Sequence, residues 1–218
     1  MLPILEALSG VLIRLGIYII ARLKAKAATQ DLVATLQPAQ LKLKASMGAR
    51  EAADTQAIEA GAATDDRLGD LREQILAFGV KAFGHFGSRK AEGYLAIYPK
   101  APSDLVKTPV AQRDAVFARL RKAALAAPKE LAVFAKDLEA AGAAWAKAVT
   151  AEAAAAEALA QAVKAEKKAA DEWQTAVRVL KARLTERYPR SPEKVAGFFP
   201  AAAGKKAAAA QVVEPGAV

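Results

Sequence analysis

LAVFAKDLEAAGAAWAKAVTAEAAAAEALAQAVKAEKKAADEWQTAVRVLKARL, residues Leu131–Leu184, runs without a proline and keeps a seven-residue register. One seam reads Leu131, Leu138, Trp145, Glu152, Leu159, Glu166, Trp173 and Leu180. The position four residues later reads Ala135, Gly142, Val149, Ala156, Val163, Ala170, Val177 and Leu184. A seven-residue repeat keeps one apolar stripe facing one neighbour along a whole helix, so the pattern predicts a single helix from Lys129 to Tyr188 packed as a coiled coil. Its seam rests on Leu131, Leu138, Trp145, Val149, Leu159, Val163, Trp173, Val177, Leu180 and Leu184. Small residues alternating with valine on the second seam let a neighbour approach closely, and the two tryptophans fill the wider layers.

Glu152 and Glu166 interrupt the apolar seam. Carboxylates at seam positions fix register or oligomer state at a cost in stability. A di-iron reading would need histidine ligands beside them, and the chain holds one histidine in all, His85.

A partner for this helix lies in residues 29–87, where Leu32, Leu36, Leu43, Met47 and Ile58 lead into a cleaner run of Leu68, Leu71, Ile75, Phe78 and Ala82. Pro38, Gly48, Gly61 and Gly69 predict two or more helices here, or one kinked helix. Thr64-Asp65-Asp66 is expected to open the later piece, with its carboxylates near a helix N-terminus.

Composition supports long helices over a compact globule. The 218 residues are 54% hydrophobic, with alanine dominant, yet only 6% aromatic. The absence of cysteine removes disulfides and thiolate chemistry, and a lone histidine removes catalytic triads and multi-histidine zinc sites. No convergent acid, base, nucleophile or metal set is legible, so the chain is read as a non-enzyme with no cofactor and no evident small-molecule substrate.

The net charge of +9 is uneven. Residues 78–127 carry nine Lys and Arg against three Asp and Glu, two thirds of the total. This segment opens with FGVKAFGHFGSRKAEGYLAIYPKAP, Phe78–Pro102, rich in aromatics and glycines. The glycines do not fit a phosphate-binding loop. Two uses fit the aromatics: a plug closing the end of a helical bundle, with Gly84 and Gly87 fraying the helix, or stacking against bases through Phe83, Phe86 and Tyr94. The plug is the preferred reading. The cations available to an anion or nucleic acid are Lys81, Arg89, Lys90, Arg113, Arg119, Arg121 and Lys122.

Tyr98-Pro99-Lys100-Ala101-Pro102 recurs as Tyr188-Pro189-Arg190-Ser191-Pro192, 90 residues later. Proline pushes its predecessor out of the helical region, so helices are expected to end near Tyr98 and Tyr188. The echo motivates a duplicated unit, 29–109 and 129–200, joined by a short basic helix over 110–127 with Pro109 at its first position. The apolar face of that helix is Val110, Val116, Phe117, Leu120 and Leu125. Residues 201–218 form a low-complexity tail.

Residues 1–28 form an apolar N-terminal helix. Leu5, Leu8, Leu12, Leu15 and Ile19 recur at helical spacing, while Ile13, Ile17 and Ile20 spread apolar surface around the rest. The positive charge follows the apolar run and Glu6 precedes it, against a secretory signal. Glu6 and Arg14 weigh against a bilayer span.

The fold expected is all-α: an elongated antiparallel helical bundle or coiled coil with one very long C-terminal helix. The function expected is structural or scaffolding, through association of helices in a homo-oligomer or with a helical protein partner. Two alternatives stand beside it. One is nucleic-acid binding by the basic segment 78–127, in the manner of a nucleoid-associated protein. The other is a membrane-associated coiled coil anchored by residues 1–28. A cytoplasmic location, at a membrane in that last case, follows from either.

Overall fold

A computed structural model describes residues 2–200, with side chains from Leu8 onward except at residues 110 and 111. Leu5, Glu6 and Val110, as side chains, and the tail 201–218 lie outside the described residues. Those that are described form an all-α protein with no strand. α1 spans Leu2–Lys24, and a 3-10 segment, Ala27–Leu32, leads into α2, Val33–Phe86. α3 is Glu92–Ile97, α4 is Pro102–Leu105 and α5 is Val110–Leu125. A second 3-10 segment, Lys129–Leu131, leads into α6, Ala132–Arg187, and α7 is Pro192–Ala196.

The residues between 29 and 87 do not form separate helices, because α2 is one helix of 54 residues. Pro38 sits in its second turn, where one backbone bond is forgone, and the burial of Leu36 and Leu43 on either side outweighs that loss. Gly48, Gly61 and Gly69 each cost about 1 kcal/mol relative to alanine, too little to break a helix otherwise rich in Ala, Leu, Glu and Arg. Thr64-Asp65-Asp66 is therefore no helix start. It lies deep inside α2, where the Thr64 hydroxyl donates to the Ala60 carbonyl at 3.0 Å in place of a cap.

α2 ends at the glycines expected to fray it, and the helix that ends at the Tyr98-Pro99 pair is the short α3. Gly87 takes φ 69°, a left-handed conformation that glycine adopts without strain, and its N–H bonds to Phe83 O at 2.9 Å. The short α3 then carries the chain on to Tyr98. Pro109 caps α5 from outside as its N-cap residue rather than occupying the first helical position. α6 ends at Arg187, where the Tyr188-Pro189 pair places it.

The residues fall into two compact units, each combining both long helices. The first takes the chain up to residue 53 and from 159 onward. Here α1, the start of α2, the end of α6 and α7 surround a core of Ile19, Leu23, Leu36, Leu43, Trp173, Leu180, Leu184 and Phe198. α2 and α6 run antiparallel in it, since Asp31 meets Arg187, Lys42 meets Glu172 and Arg50 meets Glu166. The second unit, residues 54–158, packs the end of α2, α3, α4, α5 and the start of α6 around Leu71, Ile75, Phe78, Tyr98, Leu120, Leu131 and Leu138.

The order helix, 3-10 segment, long helix, Tyr-Pro, short helix occurs twice along the chain, with α3 as the one insertion. Both short helices after the Tyr-Pro pairs begin on a proline, Pro102 and Pro192, and bury one aliphatic side chain each, Leu105 and Val195.

Among the described residues no helix is long and apolar enough to cross a membrane. Leu12 and Ile19, with Leu23 beside them, turn into the first unit's core.

Candidate functional site

The stretch Phe78–Pro102 closes the second unit. Phe78, Ala82, Tyr94, Ile97 and Tyr98 are all buried. The Tyr98 ring lies 6.0 Å from that of Phe78 and 5.6 Å from that of Tyr94, and its hydroxyl donates to Ile75 O at 2.7 Å. Burial raises the Tyr98 phenol far above its ordinary value, with the neighbouring Tyr94 adding to the effect. The end of α2 thus lacks its next turn, and the tyrosines pack there, the Tyr98 hydroxyl finding its acceptor in the Ile75 carbonyl inside α2.

This placement overturns one of the three stacking candidates. Tyr94 is buried and offers no ring face to a base. Phe86 is half-buried, lies against Gly93 and stands edge-on to His85 at 4.8 Å. Phe83 alone of the three is exposed, with the Arg89 guanidinium 5.6 Å from its ring centre.

The seven candidate cations also divide. Arg113 Nε donates to Thr108 O at 3.1 Å, tying α5 to the turn before it, and Arg121 lies 3.8 Å from Glu139. Lys81 is exposed and sits over the Phe134 ring at 5.2 Å. Arg89, Lys90, Arg119 and Lys122 are exposed. Arg119 shares a groove of about 420 Å³ with Lys100 and Lys107, neither of which was singled out in the sequence; Asp104 also lines it. These lysines flank the Pro102 helix, and the signal that marks them is the proline stop itself.

A smaller, mostly apolar cavity of about 180 Å³ lies in the same unit among Leu71, Ile75, Phe117, Leu120, Leu138 and Trp145. It opens beside Gly142, where the seam carries no side chain. The Trp145 ring stands edge-on to Phe117 at 5.3 Å and forms one wall.

Of the two seam glutamates, Glu152 is half-buried and Glu166 is fully buried. Glu166 Oε2 meets Arg50 Nε at 2.8 Å, and Arg50 is itself buried. Arg50 was missed in the sequence, although it follows Leu36 and Leu43 at seven-residue spacing. A second polar contact lies in the same unit: Trp173 Nε1 donates to Gln40 Oε1 at 2.6 Å, buried, and Gln40 Nε2 donates to Ile13 O at 2.9 Å. Gly16 makes that contact fit, since a Cβ there would overlap the Gln40 amide. These groups tie α1, α2 and α6 together.

Among the described residues no cluster of three or more His, Cys, Asp or Glu is placed to hold a metal ion. The chain matches no family model, no curated protein and no solved structure.

Proposed function

We propose that this protein is a structural or scaffolding element that works through helix–helix association, as a homo-oligomer. One observation carries the reading. In the second unit, residues 54–67 of α2 and 146–158 of α6 contain no buried residue, although both continue heptad-patterned helices. Ile58 is 67% exposed and Val149 36% exposed. Val149 is a seam position, and Ile58 lies one residue off the seam that runs Leu36, Leu43, Arg50, Ala57, Thr64 and Leu71; exposed aliphatics on such helices are what an interface with another helix would use.

Light scattering over a range of concentrations tests this. A mass above that of one chain is expected, falling to one chain when Ile58 and Val149 are both replaced by aspartate. A compact monomer at every concentration would remove the reading.

The exposed cations of the second unit support a second reading, nucleic-acid binding. Lys81, Arg89, Lys90, Arg119 and Lys122, with the exposed Phe83 ring beside Arg89, combine phosphate contacts with one stacking surface. Binding would then weaken steeply with salt, and more so after charge removal at Arg89, Lys90 and Arg119. No gel shift at low salt would exclude it.

A further inference from the structure

We propose that the outer face of α1 is a membrane-surface anchor that lies in the headgroup layer of a bilayer bearing anionic lipid. The inner face is fixed by packing, because Leu12, Ile19 and Leu23 are buried in the first unit's core. The face turned away from that core carries Val11, Arg14, Ile17, Tyr18 and Ala21, all exposed, and it is not wholly polar as a solvated face would be. Val11 and Tyr18 lie on it at seven-residue spacing with Ile17 on the far side of Arg14, while exposed Leu8 and half-buried Leu15 lie on the flank next to the buried stripe. Val11 is 50% and Ile17 60% exposed.

Cations frame these side chains. Arg14 lies among them, and Arg22, Lys24 and Lys26 gather at the C-terminal end of the helix. No Asp or Glu occurs from residue 7 to residue 30. The next carboxylate after Glu6, Asp31, is already held by Arg187 at 2.6 Å.

Exposed aliphatics interleaved with Arg and Lys are the pattern of a helix lying in the plane of an interface: the apolar side chains enter the acyl boundary and the long cationic ones reach back to the phosphates. Tyr18 fits the same level, an amphipathic ring with the Arg22 guanidinium 5.9 Å from its centre. Since no described helix is long and apolar enough to cross, α1 lies on the bilayer rather than through it.

Charge complementarity also decides between lipid and a second copy of this face. An isologous contact would bring together two faces that each carry Arg14 and Lys24 and, between residues 7 and 30, no carboxylate. An anionic headgroup layer supplies the missing countercharge.

The test is co-sedimentation of the full chain with vesicles of phosphatidylcholine alone and of phosphatidylcholine mixed with phosphatidylserine. The expected result is binding to the mixed vesicles that weakens as salt rises and is much weaker on phosphatidylcholine. R14E/K24E should lower partition at least about tenfold. V11N/I17N should lower it on both vesicle types while circular dichroism stays unchanged. Failure to bind the mixed vesicles, equal binding to both types, or indifference to these substitutions in a folded protein would overturn the anchor. So would a V11N/I17N variant whose mass falls to one chain, which would make the face an interface between copies. Association through Ile58 and Val149 is read separately by the mass of the unaltered protein, so either idea can fail alone.

Discussion

Arg50 and Glu166 show how one residue pair fixes the packing of two long helices. Hydrophobic replacement of a buried ion pair is often neutral or stabilising, so what this pair contributes is register: sliding α2 along α6 by one heptad would bury a carboxylate without its guanidinium. E166L alone leaves the guanidinium buried and is expected to cost about 3 kcal/mol or more, whereas R50M/E166L should recover most of that loss. Urea unfolding of the three proteins checks this. The seam pattern marked Glu166 as a polar break, but not its partner, because α2 was not known to continue as one helix from Leu43 to Arg50. Exposed pairs act differently. The hydrogen bond from Arg187 holds the Asp31 carboxyl below its ordinary 3.8, and that from Lys42 lowers the Glu172 carboxyl below 4.5. A lowered folded value means the stabilisation is complete above the ordinary value and lost as pH falls through the lowered one. D31N and E172Q should therefore flatten the loss of stability on the acid side of about pH 4, in acid titrations followed by circular dichroism.

At the scale of elements, the stop of α2 rests on Gly87. G87A forces a Cβ into the left-handed region and should destabilise by about 1–2 kcal/mol, read from the denaturation midpoint. Replacing Tyr98 by phenylalanine removes one buried hydrogen bond but leaves the Ile75 carbonyl its partner within α2, so it should cost about 0.5–1.5 kcal/mol. α6 was legible almost to the residue, because its heptads, its proline-free run and the Tyr188-Pro189 stop agree. α2 was not: helix breakers weigh heavily in isolated sequence, while in the protein Pro38 is outweighed by packing on α1 and α6. The burial of the seam was legible only in part. Leu131, Leu138, Trp173, Leu180 and Leu184 are covered, but Val149 is exposed and Leu159 and Val163 are half-buried, because heptads say which side faces a neighbour and not whether a further helix covers it. Leu125, read on the apolar face of α5, is exposed, and so is Ile58, which lies one residue off the seam of α2.

For the whole molecule, the consequence is uneven protection. Each unit has its own core, and residues 54–67 and 146–158 of the second unit carry no buried side chain. Amide exchange in the free chain should be fastest, within the long helices, over those stretches, and slowest around Leu71–Phe78 and Trp173–Leu184. The twofold repetition of helix, 3-10 segment, long helix and Tyr-Pro exit was audible in sequence only through its Tyr-Pro words, since the helices themselves share a pattern but few residues. The charge distribution named the basic segment, yet half of its meaning came from packing, which buries Tyr94 and commits Arg113 to a local bond. The central claim is that the aliphatic positions left open on α2 and α6 are association surfaces. Sedimentation equilibrium of the unaltered protein and of I58D/V149D decides it: an oligomer that reverts to one chain in the variant is expected, and a single-chain mass for both proteins would refute association through these positions.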